Sequence, residues 1–113
     1  MIIVCSGGRD HKNRDLINKV LNGLNPVGVI VGDCPTGVDL FVREWCVENK
    51  VTHTVFKAYW NQLGLSAGPA RNKKMVMFGK SLGAVLIAFK GNKGTKDCSM
   101  QAKAIGMIVL EAK

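Results

Sequence analysis

Ile2-Ile3-Val4-Cys5-Ser6-Gly7-Gly8-Arg9-Asp10 sets four apolar residues directly against a polar turn with two adjacent glycines. A strand with one wet face alternates apolar and polar side chains, so an unbroken apolar run predicts a strand buried on both faces, as in a parallel sheet. The glycines stop the run, and the pattern then changes period. Leu16, Ile17, Val20, Leu21 and Leu24 fall on one helical face while Asn13, Asp15, Asn18 and Asn22 face away. This spacing predicts an amphipathic helix, ended by Asn25-Pro26.

The alternation of run and period repeats along the chain. Residues 27–31 are a second strand, broken by Gly32-Asp33-Cys34-Pro35. Thr36 stands where a cap is wanted for a helix over 37–49, in which Val38, Phe41, Val42, Trp45 and Cys46 recur at helical spacing. Residues 52–56, rich in β-branched side chains, are a third strand. Residues 58–68, Ala-Tyr-Trp-Asn-Gln-Leu-Gly-Leu-Ser-Ala-Gly, show no clear period and read as a long loop with room for a short helical turn. A loop of that length in a small domain points to binding. Pro69 suits the first turn of a helix that runs to residue 78, residues 84–89 are a fourth strand, and a helix over 95–105 leads into a last strand at 107–110. Five strands alternating with four helices predict a doubly wound α/β domain. Its five-stranded parallel sheet is covered on both faces by right-handed crossovers, in the expected order 3-2-1-4-5.

The 113 residues suffice for one such domain, over 1–113, and are too few for two ordinary ones. With 47% hydrophobic and 21% charged residues, the composition is not that of a disordered chain. Sixteen Lys and Arg against eight Asp and Glu give a formal net charge of +8. That balance favours anionic partners without choosing between a free nucleotide, a polynucleotide and a membrane surface. A charged leader with an apolar core is missing, as is any apolar stretch of about 18 residues, so the expectation is a cytoplasmic protein with no membrane partner. Cys5, Cys34, Cys46 and Cys98 lack Cys-x-x-Cys spacing and read as free thiols in a reducing compartment. His11 and His53 do not join them at ligand spacings, so neither a metal nor a bound cofactor is expected.

Polar, glycine-containing loops follow strands one, two and four, at 6–10, 32–37 and 90–95. In a 3-2-1-4-5 sheet those strands are central neighbours, and their loops converge at the carboxyl edge where strand order reverses. Each loop precedes or opens a helix whose unpaired N–H groups and positive end favour an anion. In Gly91-Asn92-Lys93-Gly94-Thr95 the glycines Gly91 and Gly94 permit close backbone approach, and Thr95 supplies a hydroxyl or caps its own helix. The segment reads as a phosphate cradle or as a plain turn with a cap. The P-loop pattern is absent, and Ser6, Gly7, Gly8 and Arg9 lack the third glycine of a dinucleotide fingerprint.

Arg71, expected in the first turn of its helix, opposes the helix dipole there, and an anionic ligand would account for it. Together with Arg9 and Asn72 it offers donors for phosphate or ribose oxygens. Asp33 and Asp39 flank the turn Cys34-Pro35-Thr36-Gly37, and either of them, or Asp97, can meet ribose hydroxyls or simply favour a helix N-terminus. Trp60 stacks on a base or anchors its loop. Cys98 reads as a core thiol, or as one with a lowered pKa at a helix start. No Ser-His-Asp order or nucleophile elbow assigns a catalytic residue.

Four segments in order, Ser6-Gly7-Gly8-Arg9-Asp10, Gly32-Asp33-Cys34-Pro35-Thr36-Gly37-Val38-Asp39, Ala67-Gly68-Pro69-Ala70-Arg71-Asn72 and Gly91-Asn92-Lys93-Gly94-Thr95-Lys96-Asp97-Cys98, extend over nearly the whole chain. In them the chain resembles small phage- or plasmid-associated members of the SLOG superfamily, related to the lysine-decarboxylase-like "lonely guy" proteins and to DNA-processing protein A. The resemblance implies a Rossmann-like domain that binds nucleotides or nucleotide-derived signals. Some relatives cleave the N-glycosidic bond of nucleoside monophosphates, others sense nucleotide signals or bind DNA, and related domains often form homodimers.

The hydrolytic relatives carry Gly-Gly-x-Gly-Thr-x-x-Glu. Here Gly91, Asn92, Gly94 and Thr95 take the first four defined positions, and Cys98 stands at the glutamate. A thiol does not stabilise an oxocarbenium-like centre as a carboxylate does, and Asp97 points about 100° away on a helix. The leading expectation is therefore binding of a nucleotide-like small molecule. The second is N-glycosidic hydrolysis or transfer on a nucleoside phosphate with Asp33 or Asp39 as the acid, and the third is nucleic-acid binding.

Overall fold

The unbroken apolar runs become the interior of one sheet. The structure, a computed structural model, describes residues 1–113. β1 (Ile2–Ser6), β2 (Gly28–Gly32), β3 (Thr52–Phe56), β4 (Val85–Phe89) and β5 (Val109–Ala112) pair in parallel in the order β3-β2-β1-β4-β5. This is the doubly wound, Rossmann-like order expected from the pattern. α1 (Arg14–Leu24) and α2 (Gly37–Glu48) pack together over one face of the sheet. α3 (Trp60–Leu63) and α4 (Ala67–Ser81) follow β3, α5 (Lys93–Ala104) follows β4, and α4 and α5 pack side by side over the other face. No helix is long and apolar enough to cross a membrane.

Alternation along each central strand feeds two cores. Ile3 and Cys5 of β1, Val29 and Val31 of β2, and Ile87 and Phe89 of β4 face α1 and α2. Val4, Ile30 and Leu86 face α4 and α5, where Met75, Val76, Cys98 and Ala102 meet them. The edge strands lack this double cover: Thr52, Thr54 and Val55 of β3 and Leu110 and Glu111 of β5 are exposed. Between α1 and α2 the Trp45 indole N–H donates to Asn22 Oδ1 at 2.9 Å, so the buried ring keeps its polar edge satisfied.

Four expectations are corrected. The stretch 58–68 holds the short helical turn it had room for, but little loop besides: α3 and a 3₁₀ turn (Gly64–Ser66) lead straight into α4, which begins two residues before Pro69. Its helical period was invisible because Tyr59, Trp60, Leu63 and Leu65 all stay exposed and leave no buried stripe. Arg71 consequently lies in the second turn of its helix, not the first. α5 starts at Lys93, not Thr95, and the strand expected at 107–110 is displaced to Val109–Ala112. The cause is the helix end: Gly106 adopts φ +77, and the N–H of Met107 folds back to Ala102 O at 2.9 Å, so Met107 enters the core before the strand begins. Thr36 does hold the cap position of α2, yet its hydroxyl donates to Arg9 O at 2.9 Å and makes no cap bond.

α4 lies directly on β1 at Gly79, where a Cβ would come 2.5 Å from Val4 Cγ2 and 3.2 Å from Met107 Cε. Alanine is the better helix former by about 1 kcal/mol, but overpacking a tight core costs roughly 1–3 kcal/mol. Gly79→Ala should therefore lower the urea midpoint despite its propensity gain. A variant as stable as the parent would show that α4 does not approach β1 this closely.

Candidate functional site

The first loop is held from both sides. The Gly8 N–H donates to Lys90 O at 3.0 Å on the loop after β4, and Gly8 O accepts the N–H of Val38 at 3.2 Å from the start of α2. Three glycines make these approaches sterically available. A Cβ on Gly7 would strike the Val38 side chain, and one on Gly37, at φ +69, would run into the backbone of Gly8 and Arg9. A Cβ on Gly91 would meet the Thr95 side chain and lie 2.7 Å from Gly8 N. The loops after β1, β2 and β4 thus do meet at the carboxyl edge, but the N–H of Val38 at the α2 N-terminus is already spent on protein.

On the β4 side of this junction lies a cavity of about 1380 Å³. Gly8, Gly91 and Thr95 line it, with His11 and Phe89 and with the ends of β5 and the outward face of α5. Thr95 Oγ1 is sealed from solvent and has no hydrogen-bond partner. A buried hydroxyl left so costs roughly 1–3 kcal/mol, a price recovered when an acceptor or donor arrives. His11 stands edge-on to Phe89 with ring centroids 6.2 Å apart. Desolvation, then the charge of Lys90, hold its pKa below the usual histidine range.

On the β2 side the polar residues are bound to one another. Arg71 Nη1 donates to Asp33 Oδ1 at 3.3 Å, and its Nε donates to Asn72 Oδ1 at 2.9 Å. The buried Asn72 amide in turn donates to Asp97 Oδ2 at 3.0 Å and to Gly94 O at 3.2 Å. Asp33 also accepts the N–H of Ala58, tying the loop after β2 to the connection after β3. The Arg71 guanidinium and the Asp39 carboxylate both lie over the bare Cα of Gly32, where any side chain would collide with them. Asp39 is 7% exposed and accepts the N–H of Cys34 at 3.2 Å. Burial pushes its carboxyl above the ordinary range, while Arg71, the Cys34 N–H and Arg43 pull it back and Asp33 adds to the push.

Of the residues singled out from sequence, Gly8, Gly91 and Thr95 border the cavity, while Gly32, Asp33, Asp39, Arg71, Asn72, Gly94 and Asp97 belong to the braced network beside it. Ser6 is buried at the end of β1, Gly7 and Gly37 shape the junction, and Thr36 bonds to the backbone of the exposed Arg9. Trp60 is 54% exposed and leans on Gly68 at the start of α4, outside the cavity. Cys98 is buried in the α5 core, where desolvation pushes its thiol up to about 11 against the pull of a hydrogen bond with Ser6. No three His, Cys, Asp or Glu side chains gather as a metal site.

Sequence reading missed Arg43, which donates to Gly32 O at 3.0 Å, and Gln101, which donates to Asp97 Oδ2 at 2.8 Å and to Pro69 O at 3.1 Å. Both lie four residues after a singled-out aspartate, Asp39 or Asp97, and that helical spacing was the available signal. No protein-family model matches the chain, and no curated protein matches it.

Because the folded state holds the Asp39 proton more tightly than the unfolded chain, this contribution to stability is full below the ordinary value of 3.8 and is lost as pH rises through the raised folded value. The stability of the parent relative to Asp39→Asn should therefore fall as pH rises from about 3.8 through the raised folded value and level off above it, in urea titrations followed from acid to neutral pH. A difference that grows with pH would mean that the arginines outweigh burial at this carboxylate.

Proposed function

We propose that residues 1–113 form a nucleotide-binding domain of the SLOG type, which holds the phosphate of a nucleotide-like small molecule at 91–95. The observation that carries this is the Thr95 hydroxyl, buried and unpartnered beside Gly91 at the rim of a large cavity. The N-terminal turn of α5 adds free backbone N–H groups and the positive end of a helix dipole, both suited to an anion. The rest of the ligand extends into the cavity, past His11 and over the end of β4.

Binding without hydrolysis is the favoured form of this proposal. The buried Cys98 thiol, pushed up to about 11, is a neutral group at the position where hydrolytic relatives carry a glutamate. Asp33 is engaged by Arg71 and Ala58, and Asp39 by Cys34, so neither stands as a free acid on the cavity wall.

Calorimetric titration with the four nucleoside 5′-monophosphates and the four parent nucleosides tests the phosphate requirement. At least one monophosphate should bind, about tenfold or more above its nucleoside, the worth of one hydrogen bond to a charged group. Thr95→Val, which keeps the shape of the side chain and removes its hydroxyl, should cut that advantage while the fold persists by circular dichroism. Nucleosides that bind as well as their monophosphates, or no heat with any of the eight, would reject the proposal.

A further inference from the structure

The cavity wall is basic beyond what one phosphate uses. Lys12, Lys90, Lys96, Lys103 and Lys113 line it against Asp10 and Glu111. None of the five lysines forms an ion pair, since the molecule's two salt bridges join Arg14 to Glu44 and Arg71 to Asp33. Lys96, Ser99, Met100 and Lys103 occupy successive turns of one α5 face. At 1.5 Å per residue the two lysines stand about 10 Å apart along the axis, and the row starts beside Thr95. Lys103 suits the last turn of a helix, whereas Lys96 lies near the positive N-terminal end, where a cation opposes the dipole. Helix stability therefore gives no reason for Lys96.

The volume points the same way. At about 1380 Å³ the cavity exceeds the roughly 300–1,000 Å³ of ordinary small-ligand pockets. Past Lys103 the exposed side chains include the apolar Ile105, Ile108 and Leu110, and Lys80, which reaches this stretch, already donates to Gly106 O at 3.2 Å.

Resting on the nucleotide reading above, we propose that the ligand carries at least two phosphate groups spread along α5, the first at 91–95 and the second between Lys96 and Lys103. The chemical class is a short, multiply phosphorylated nucleotide such as a dinucleotide. At His11, on the same wall, the charge of Lys90 adds to desolvation in holding the imidazole pKa down.

The test compares each nucleoside 5′-monophosphate with the 5′-phosphorylated dinucleotide of the same base, by calorimetry at several salt concentrations. The dinucleotide should bind at least tenfold more tightly at low salt, and that advantage should shrink as added salt screens the lysines. In Lys96→Gln/Lys103→Gln that advantage should shrink to within about threefold, whereas Lys74→Gln, on the exposed face of α4, should keep it. A monophosphate that binds with no gain from the second phosphate would overturn this inference and leave the nucleotide reading standing. A gain that survives the double substitution would also overturn it. Failure of both ligand sets to bind would overturn the two proposals together. A twelve-residue oligodeoxynucleotide binding 100-fold more tightly than any dinucleotide would assign the cations to a polynucleotide instead.

Discussion

Gly8 spends both of its backbone hydrogen-bonding groups on other loops, its N–H on Lys90 O and its carbonyl on the N–H of Val38. Everything at the carboxyl edge depends on that double attachment. Loops after three neighbouring strands have to pass within backbone contact of one another, which is sterically open only because Gly7, Gly37 and Gly91 carry no Cβ at the crossing points. The junction fixes where α2 and α5 begin relative to β1, and so fixes the position of Thr95 over the cavity. It also occupies the start of α2, so the two halves of the edge are not equivalent.

The edge divides by electrostatics. On the β2 side, Asp33, Arg71, Asn72 and Asp97 form a connected hydrogen-bond network, with Asp39 beside it accepting the Cys34 N–H, and such networks rigidify the elements they join. It links the loop after β2 to α4 and to the first turns of α5. On the β4 side, five unpaired lysines line an open cavity, and the Thr95 hydroxyl is buried at its rim without a partner. Charge compensated by protein characterises the first half, and charge left for something else characterises the second.

Much of the fold was legible because the central strands are buried on both faces and read as unbroken apolar runs, while α1 and α2 carry clear stripes. The edges were less legible. Residues 107–110 are as apolar as a strand, but Met107 belongs to the turn that ends α5, and a continuous run does not show where its register begins. Trp60 and Leu63 lie on a helix that buries neither, so no period marks it. At the site, the glycines signalled close approach, and the structure shows what each approaches. Sequence could not separate a carboxylate that pairs with an internal arginine from one that waits for a ligand: Asp33 and Arg71 are 38 residues apart and meet only through the crossover of α4.

The most direct test of the account is an amide-resolved NMR titration with inorganic pyrophosphate, which carries the phosphate chemistry and no base. A phosphate site at the start of α5 gives saturable shifts centred on Gly8, Gly91, Gly94, Thr95 and Lys96, with Cys34, Gly37 and Arg71 little changed. Shifts centred instead on residues 33–37 and Arg71, or only a uniform drift with ionic strength, would contradict a phosphate site at the start of α5.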